Sequence, residues 1–178
     1  MNVTILGAAG FLGLNLVDEL LAANIQPRCG RRTRTNVIPL RRRGVPLVHA
    51  DLDDPATLRA AMADSDAVFH AAGHYPRHSL DPSGALDTAL RQTRNLLDSA
   101  AEAGVGRLVY VSSTATAAPR TDGSPSNEAD VFAAAPGFGR YGYTLSYAVV
   151  PEPAAGGGAG GRATIPATCK SAICSRYC

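Results

Sequence analysis

Gly7, Gly10 and Gly13, with Ala9, Phe11 and Leu12 among them, are the residues whose type and spacing point most directly to chemistry. Glycines at this spacing let a backbone turn sharply, approach a pyrophosphate closely and bring a helix N-terminus to face the anion. Far downstream, Ser112-Ser113-Thr114 offers hydroxyls and Tyr143 a phenol. A hydroxyl and a phenol aimed at one substrate oxygen make a proton relay for hydride transfer to or from a carbonyl. Because the pKa of Tyr is about 10, such a relay needs a cation beside it.

Other residues fit around the glycine turn. A dinucleotide site that takes NAD carries an acidic residue about 20 residues further on, to bond the adenosine ribose. This chain has Arg31 and Arg32 there. Guanidinium groups suit a 2′-phosphate, which favours NADP and leaves NAD as the alternative; the competing reading is a solvated basic loop. Asp51 can accept from an adenine amino group with Leu52 packed beside the ring, or it can cap the helix that begins near Pro55. Ala71, Ala72 and Gly73 are too small to obstruct a ligand, though tight packing of sheet on helix would select them equally well. His70, His74 and His78 read as local polar contacts rather than metal ligands, because no carboxylate shares their spacing.

These residues need a scaffold, and the pattern supplies one. Residues 2–6 form a β-rich apolar run that meets glycine at once; Leu12, Leu16, Val17, Leu20 and Leu21 then recur at helical spacing. Strands are expected over residues 25–30, where Pro27 removes a ladder donor, over 45–50 and over 67–72. A helix starts at Asp54-Pro55 and runs through Leu58 and Met62. A longer one fits residues 84–103, with Gly104 and Gly106 ending it before a strand over 107–111. Strand and helix alternate, and the strands are continuously apolar. That combination predicts an α/β fold with a doubly wound parallel sheet, whose ligands sit beyond the carboxyl ends of the strands.

Composition narrows the function classes. The chain of 178 residues is 46% hydrophobic with a formal net charge of +2, so one ordinary domain is expected, with no call for nucleic acid or a membrane surface. No apolar stretch approaches the roughly 20 residues that span a bilayer, and the start lacks a secretory n-region, so a cytoplasmic protein is expected. Cys29 stands alone, and Cys169, Cys174 and Cys178 crowd the C-terminus without a His or acidic partner, so neither a disulfide framework nor a zinc site is expected.

Several segments, taken in order, carry a resemblance. They are Gly7-Ala-Ala-Gly-Phe-Leu-Gly13, Ala50-Asp-Leu-Asp53, Val68-Phe-His-Ala-Ala-Gly73, Thr93-Arg-Asn-Leu-Leu97, the run over residues 103–113 and Tyr143-Thr-Leu-Ser146. From residue 1 to about residue 146 the chain resembles the extended short-chain dehydrogenase/reductase family of NAD(P)-dependent epimerases and dehydratases, within it the dihydroflavonol-reductase-like and hopanoid-associated sugar epimerase branch. The resemblance implies a Rossmann cofactor domain that binds NADP or NAD, and a sugar-nucleotide or hydroxy-carbonyl small-molecule substrate. It makes Thr114 the catalytic hydroxyl and Tyr143 the catalytic phenol, and it allows a homodimer.

Two departures stand out. The family's Tyr-x-x-x-Lys would place a lysine at position 147, where this chain has Tyr147, and a neutral phenol cannot depress the pKa of Tyr143. The family's asparagine in the helix after the fourth strand falls on Ala89. Beyond residue 146 the expected C-terminal strands and substrate domain are absent; the Gly/Ala/Pro-rich tail, 147–178, is expected to be disordered and reads as out-of-frame translation of a GC-rich sequence. The expectation is therefore a truncated oxidoreductase or epimerase, weak or dead as a catalyst. Its rivals are an inert dinucleotide-binding module and a fragment that folds with a partner covering its sheet edge.

Overall fold

A computed structural model describes residues 1–73, 82–111, 120–125 and 127. They fall into two units, one built from residues 1–73 and 94–111, the other holding residues 82–93 with the described residues from 120 onward. In the second unit, Thr93 Oγ1 donates to the Ala89 carbonyl inside its helix, and Ser124 donates its N–H and its hydroxyl to Asp122 Oδ1.

The first unit contains the sheet. Its elements are β1 (Val3–Leu6), α1 (Phe11–Ala22), β2 (Arg28–Arg31), α2 (Ile38–Arg42), β3 (Leu47–His49), α3 (Pro55–Met62), β4 (Ala67–His70), the part of α4 (Pro82–Glu102) that follows Thr93, and β5 (Arg107–Tyr110). All pairings are parallel, in the order β3-β2-β1-β4-β5. The doubly wound α/β sheet expected from the strand–helix alternation is the one observed. No helix among the described residues is long and apolar enough to cross a membrane.

Alternation along the strands divides the core between the two faces of the sheet. Val3, Ile5 and Cys29 pack with Val17 of α1 and Leu40 of α2. Leu6, Val68 and Leu108 pack on the opposite face with Leu58 and Met62 of α3 and Leu96 and Ala100 of α4. Thr4 points into this second face, where its fully buried hydroxyl meets Ser65 Oγ at 2.9 Å and the Ala61 carbonyl at 3.3 Å. A buried polar group so partnered costs little.

Local signals explain the helix ends. α1 stops where Asn24 adopts φ 59°, with Asn24 N–H donating to Leu21 and Ile25 N–H to Leu20. Gly104, at φ 66°, ends α4 in the same way through Ala101 and Ala100. Both are the paired bonds of a Schellman terminus, and the second is the stop expected from glycine at that place.

Some boundaries differ from expectation. β2 begins after Pro27, not at residue 25, because a residue without an N–H cannot join the ladder. α2 was not anticipated: five residues with a single buried side chain, Leu40, leave no periodicity to read. The cap of α3 is Asp54, not Asp51, since Asp54 Oδ1 accepts from Ala56 N–H at 3.0 Å and Thr57 N–H at 3.4 Å. Asp54→Ala is expected to lower stability by about 1 kcal/mol in urea unfolding, and an unchanged midpoint would show that the cap contributes nothing.

Candidate functional site

The strand order sets the site. Reading along the carboxyl edge from β3 to β4 places Asp51 and Leu52, then Arg31 and Arg32, then the glycine turn after β1, then Ala71 to Gly73. β1 lies between β2 on one side and β4 on the other, with α1 on one face and α3 on the other, so the turn sits where the winding reverses direction.

Gly7 has φ 85°, and a Cβ there would lie 2.6 Å from Ala71 C and from Ala72 N. Only glycine allows both the backbone conformation and this approach. Gly10 N–H closes the turn on the Gly7 carbonyl at 3.0 Å. A Cβ on Gly13 would meet Ala8 Cα at 2.6 Å, so the first turn of α1 packs directly on the loop. The first bond of the helix runs from Leu14 N–H to the Gly10 carbonyl, and Gly10 supplies no side-chain cap. The amides of Phe11, Leu12 and Gly13 therefore precede the ladder and have no carbonyl of their own helix to reach. Ala9 and Leu12 are half-buried, while Phe11 stands 88% exposed at the mouth of the turn. This cradle, walled by backbone and floored by orphan amides, fits a pyrophosphate.

The arginines separate by partner. Arg43 forms a two-pronged ion pair with Asp18, at 2.6 and 2.7 Å, that joins α2 to α1. The bond to Arg43 holds the Asp18 carboxyl below its usual range. Arg28 donates to the Ala63 carbonyl at 3.0 Å, past the end of α3. Arg31 and Arg32 have no ion pair among the described residues; Arg31 is half-buried and Arg32 exposed. Their backbone is held: Ala50 N–H donates to the Arg31 carbonyl at 3.0 Å, and Arg32 N–H donates to Thr35 Oγ1 at 3.1 Å. Among the described residues, the guanidiniums of Arg28 and Arg43 thus make structural contacts, while those of Arg31 and Arg32 stand at the carboxyl edge without an ion pair.

The connection from β3 to α3 is closely tied. Asp51 N–H donates to Thr57 Oγ1, Asp53 N–H to Asp51 Oδ1, and Asp54 N–H to the Asp51 carbonyl. Leu52, half-buried, packs on the core beneath α3 and α4, and its carbonyl accepts from Asn95 Nδ2 at 2.8 Å. Nothing in the sequence sets Asn95 apart, since it is one polar residue among several in a helical segment.

On β4, His70 corrects the expectation of a local polar contact. It is 3% exposed, its Nδ1 has no hydrogen-bond partner among the described residues, and its ring lies 4.9 Å from that of Tyr110. Burial lowers its pKa to about 4, so it is a neutral core imidazole. Burial likewise pushes the Cys29 thiol up to about 12, which removes it as a nucleophile. No three potential metal ligands cluster among the described residues. Ala89, where the family asparagine was expected, is a buried alanine. His74, His78, Ser112, Ser113, Thr114, Tyr143, Tyr147 and the tail lie outside the described residues.

A model of the NAD dependent epimerase/dehydratase family matches residues 3–146. A protein of Synechocystis sp. that carries the name of a dihydroflavonol 4-reductase is 34% identical over 122 residues, covering 68% of this chain and 35% of its own length. The dTDP-glucose 4,6-dehydratase of Streptomyces antibioticus is 33% identical over 124 residues, covering 63% of this chain and 37% of its own. The solved structure of Thermus thermophilus UDP-glucose 4-epimerase in complex with NAD superposes with a TM-score of 0.64 at 25% identity, covering 83% of this chain and 48% of that one. The chain thus spans little more than a third of the length of these two curated relatives.

Proposed function

The chain belongs to the NAD dependent epimerase/dehydratase family, and from that premise we infer that its carboxyl edge holds NADP, with NAD as the weaker ligand. The pyrophosphate rests on the amides of Phe11, Leu12 and Gly13 in the cradle of Gly7, Ala9, Gly10 and Gly13, with Phe11 covering it. The 2′-phosphate takes Arg31 and Arg32, adenine takes Asp51 and Leu52, and the backbone of Ala71, Ala72 and Gly73 lines the way towards the reacting end. The observation that carries this reading is the close approach of Gly7 to Ala71 and Ala72 beneath uncapped helix amides. Support for NADP over NAD comes from two guanidiniums that have no ion pair among the described residues and stand where an acidic residue would bond a ribose.

The cofactor would supply hydride chemistry, and the protein's part is proton transfer. Thr114 would donate a hydrogen bond to the substrate oxygen, and Tyr143 would give or take its proton. The substrate is a sugar nucleotide, in keeping with the relatives named for dTDP-glucose and UDP-glucose, or a hydroxy-carbonyl compound, in keeping with the one named for dihydroflavonol. Tyr147 stands where the family lysine would lower the pKa of Tyr143, so slow turnover is expected; the same residue favours a second reading, an inert dinucleotide-binding module.

Titration with NADPH and NADH, followed by ligand fluorescence and melting temperature, tests the reading, since a ligand of the native state must raise the melting point. NADPH should bind more tightly, and Arg31→Ala with Arg32→Ala should remove that preference, on the order of tenfold for lost charge-assisted bonds. Equal or tighter binding of NADH would return the arginines to a solvated loop. NADPH-dependent turnover that is lost in Tyr143→Phe would exclude the inert module.

A further inference from the structure

Asn95 lies in α4, 43 residues from the loop it touches, and its Nδ2 donates to the Leu52 carbonyl at 2.8 Å. One turn later Ser99 Oγ donates to the Pro55 carbonyl at 3.3 Å, and Glu102 pairs with Arg59 at 3.0 Å. Residues 95, 99 and 102 therefore form one stripe along α4. Ser99 and Glu102 hold α3 itself. Asn95 reaches instead the loop that carries Asp51 and Leu52.

The Leu52 carbonyl and the Asp53 N–H belong to one planar peptide group. Asn95 holds the carbonyl end of that plane; the N–H end donates to Asp51 Oδ1 at 3.1 Å. Fixing one end of a rigid plane fixes the other, and the two bonds polarise each other through the amide. Asp51 Oδ1 is thereby committed to the loop, and among the described residues no donor reaches Oδ2. The plane thus sets the direction in which the remaining carboxylate oxygen can accept a hydrogen bond.

We propose that Asn95 is a positioning residue for the adenosine end of the cofactor site, acting through the Leu52–Asp53 peptide to orient the Asp51 carboxylate; this rests on the dinucleotide reading above. Asn95→Asp keeps the shape but turns an acceptor towards the Leu52 carbonyl, which drives that peptide plane away and releases Asp51.

Calorimetric titration with ADP and with inorganic pyrophosphate tests the proposal, because both ligands occupy the glycine turn and only ADP extends to Asp51. Asn95→Asp should weaken ADP on the order of tenfold and leave pyrophosphate unchanged, and in an Asp51→Ala background it should have no further effect on ADP. Ser99→Ala, which loosens α4 from α3, should leave both ligands as they are. If Asn95→Asp does not fold, Asn95→Ser removes the reach without adding a charge and is judged by the same comparison. An equal loss for both ligands would reduce Asn95 to a structural tie, and no loss for either would remove any role; both overturn the proposal. A wild-type protein that binds neither ligand overturns the dinucleotide reading, and this proposal with it.

Discussion

Gly7→Ala is expected to destabilise the protein by several kcal/mol and to abolish dinucleotide binding. Two costs add at this position. A side chain at φ 85° is strained by about 1–3 kcal/mol. The new methyl would also lie 2.6 Å from Ala71 C and Ala72 N and 2.7 Å from Ala71 O, and forcing atoms into a packed site costs about 1–3 kcal/mol more. All three neighbours are backbone, so no rotamer change relieves the clash. The relief must come from parting the β1 turn from the end of β4, which opens the cradle that would hold the pyrophosphate. Against a total stability of about 5–15 kcal/mol, the loss is large. Gly44→Ala is the matched control, since φ is 67° and nothing lies within 4 Å of the added Cβ; it should show the backbone strain alone and keep its ligand. Urea unfolding and NADPH titration of both variants give the comparison. Equal stability losses with binding intact in both would mean that the approach of Gly7 to Ala71 has no energetic weight.

Acid is expected to find a second weak point at His70. Its folded pKa of about 4 lies below the ordinary 6.5 because the buried ring disfavours its charged form. The neutral ring is therefore at no disadvantage above about pH 6.5, and stability is lost as pH falls from there towards 4. A shift of this size corresponds to about 3 kcal/mol when complete, with about 2 kcal/mol already lost at pH 5. Most carboxylates are still ionised at that pH, so they interfere little. Denaturant unfolding at pH 7 and pH 5 should show wild type losing about 2 kcal/mol more than His70→Gln. Parallel pH dependences in the two proteins would place the acid sensitivity elsewhere.

The parts of this protein that were legible in its sequence are those set by neighbours a few residues apart. The glycine turn follows an apolar run and opens an amphipathic helix, so its conformation is a local matter. The stop at Gly104 is likewise local, because a left-handed residue ends a helix by itself. α2 escaped notice because one buried leucine in five residues makes no period, and its hold on the fold comes from distant contacts, Leu40 in the core and Arg43 reaching Asp18, 25 residues away. Asp51 and Asp54 compete for the cap of α3 on paper; the backbone at Asp54, φ −125° and ψ 95°, turns its carboxylate onto the helix amides.

Strand–helix alternation, continuously apolar strands and spaced glycines were enough to determine a doubly wound parallel sheet with a tight glycine turn after its first strand, because propensity and periodicity act over one or two turns of chain. Which side chains line the same sheet edge as that turn was decided by tertiary structure. The order β3-β2-β1-β4-β5 aligns the ends of four strands on one edge. Packing then engages Arg28 and Arg43 in structural contacts and leaves Arg31 and Arg32 without an ion pair among the described residues. It also brings Asn95 to the Leu52 carbonyl across 43 residues. Contacts between residues so far apart depend on where whole elements pack against the sheet, and that placement is a property of the folded core rather than of any local stretch of chain.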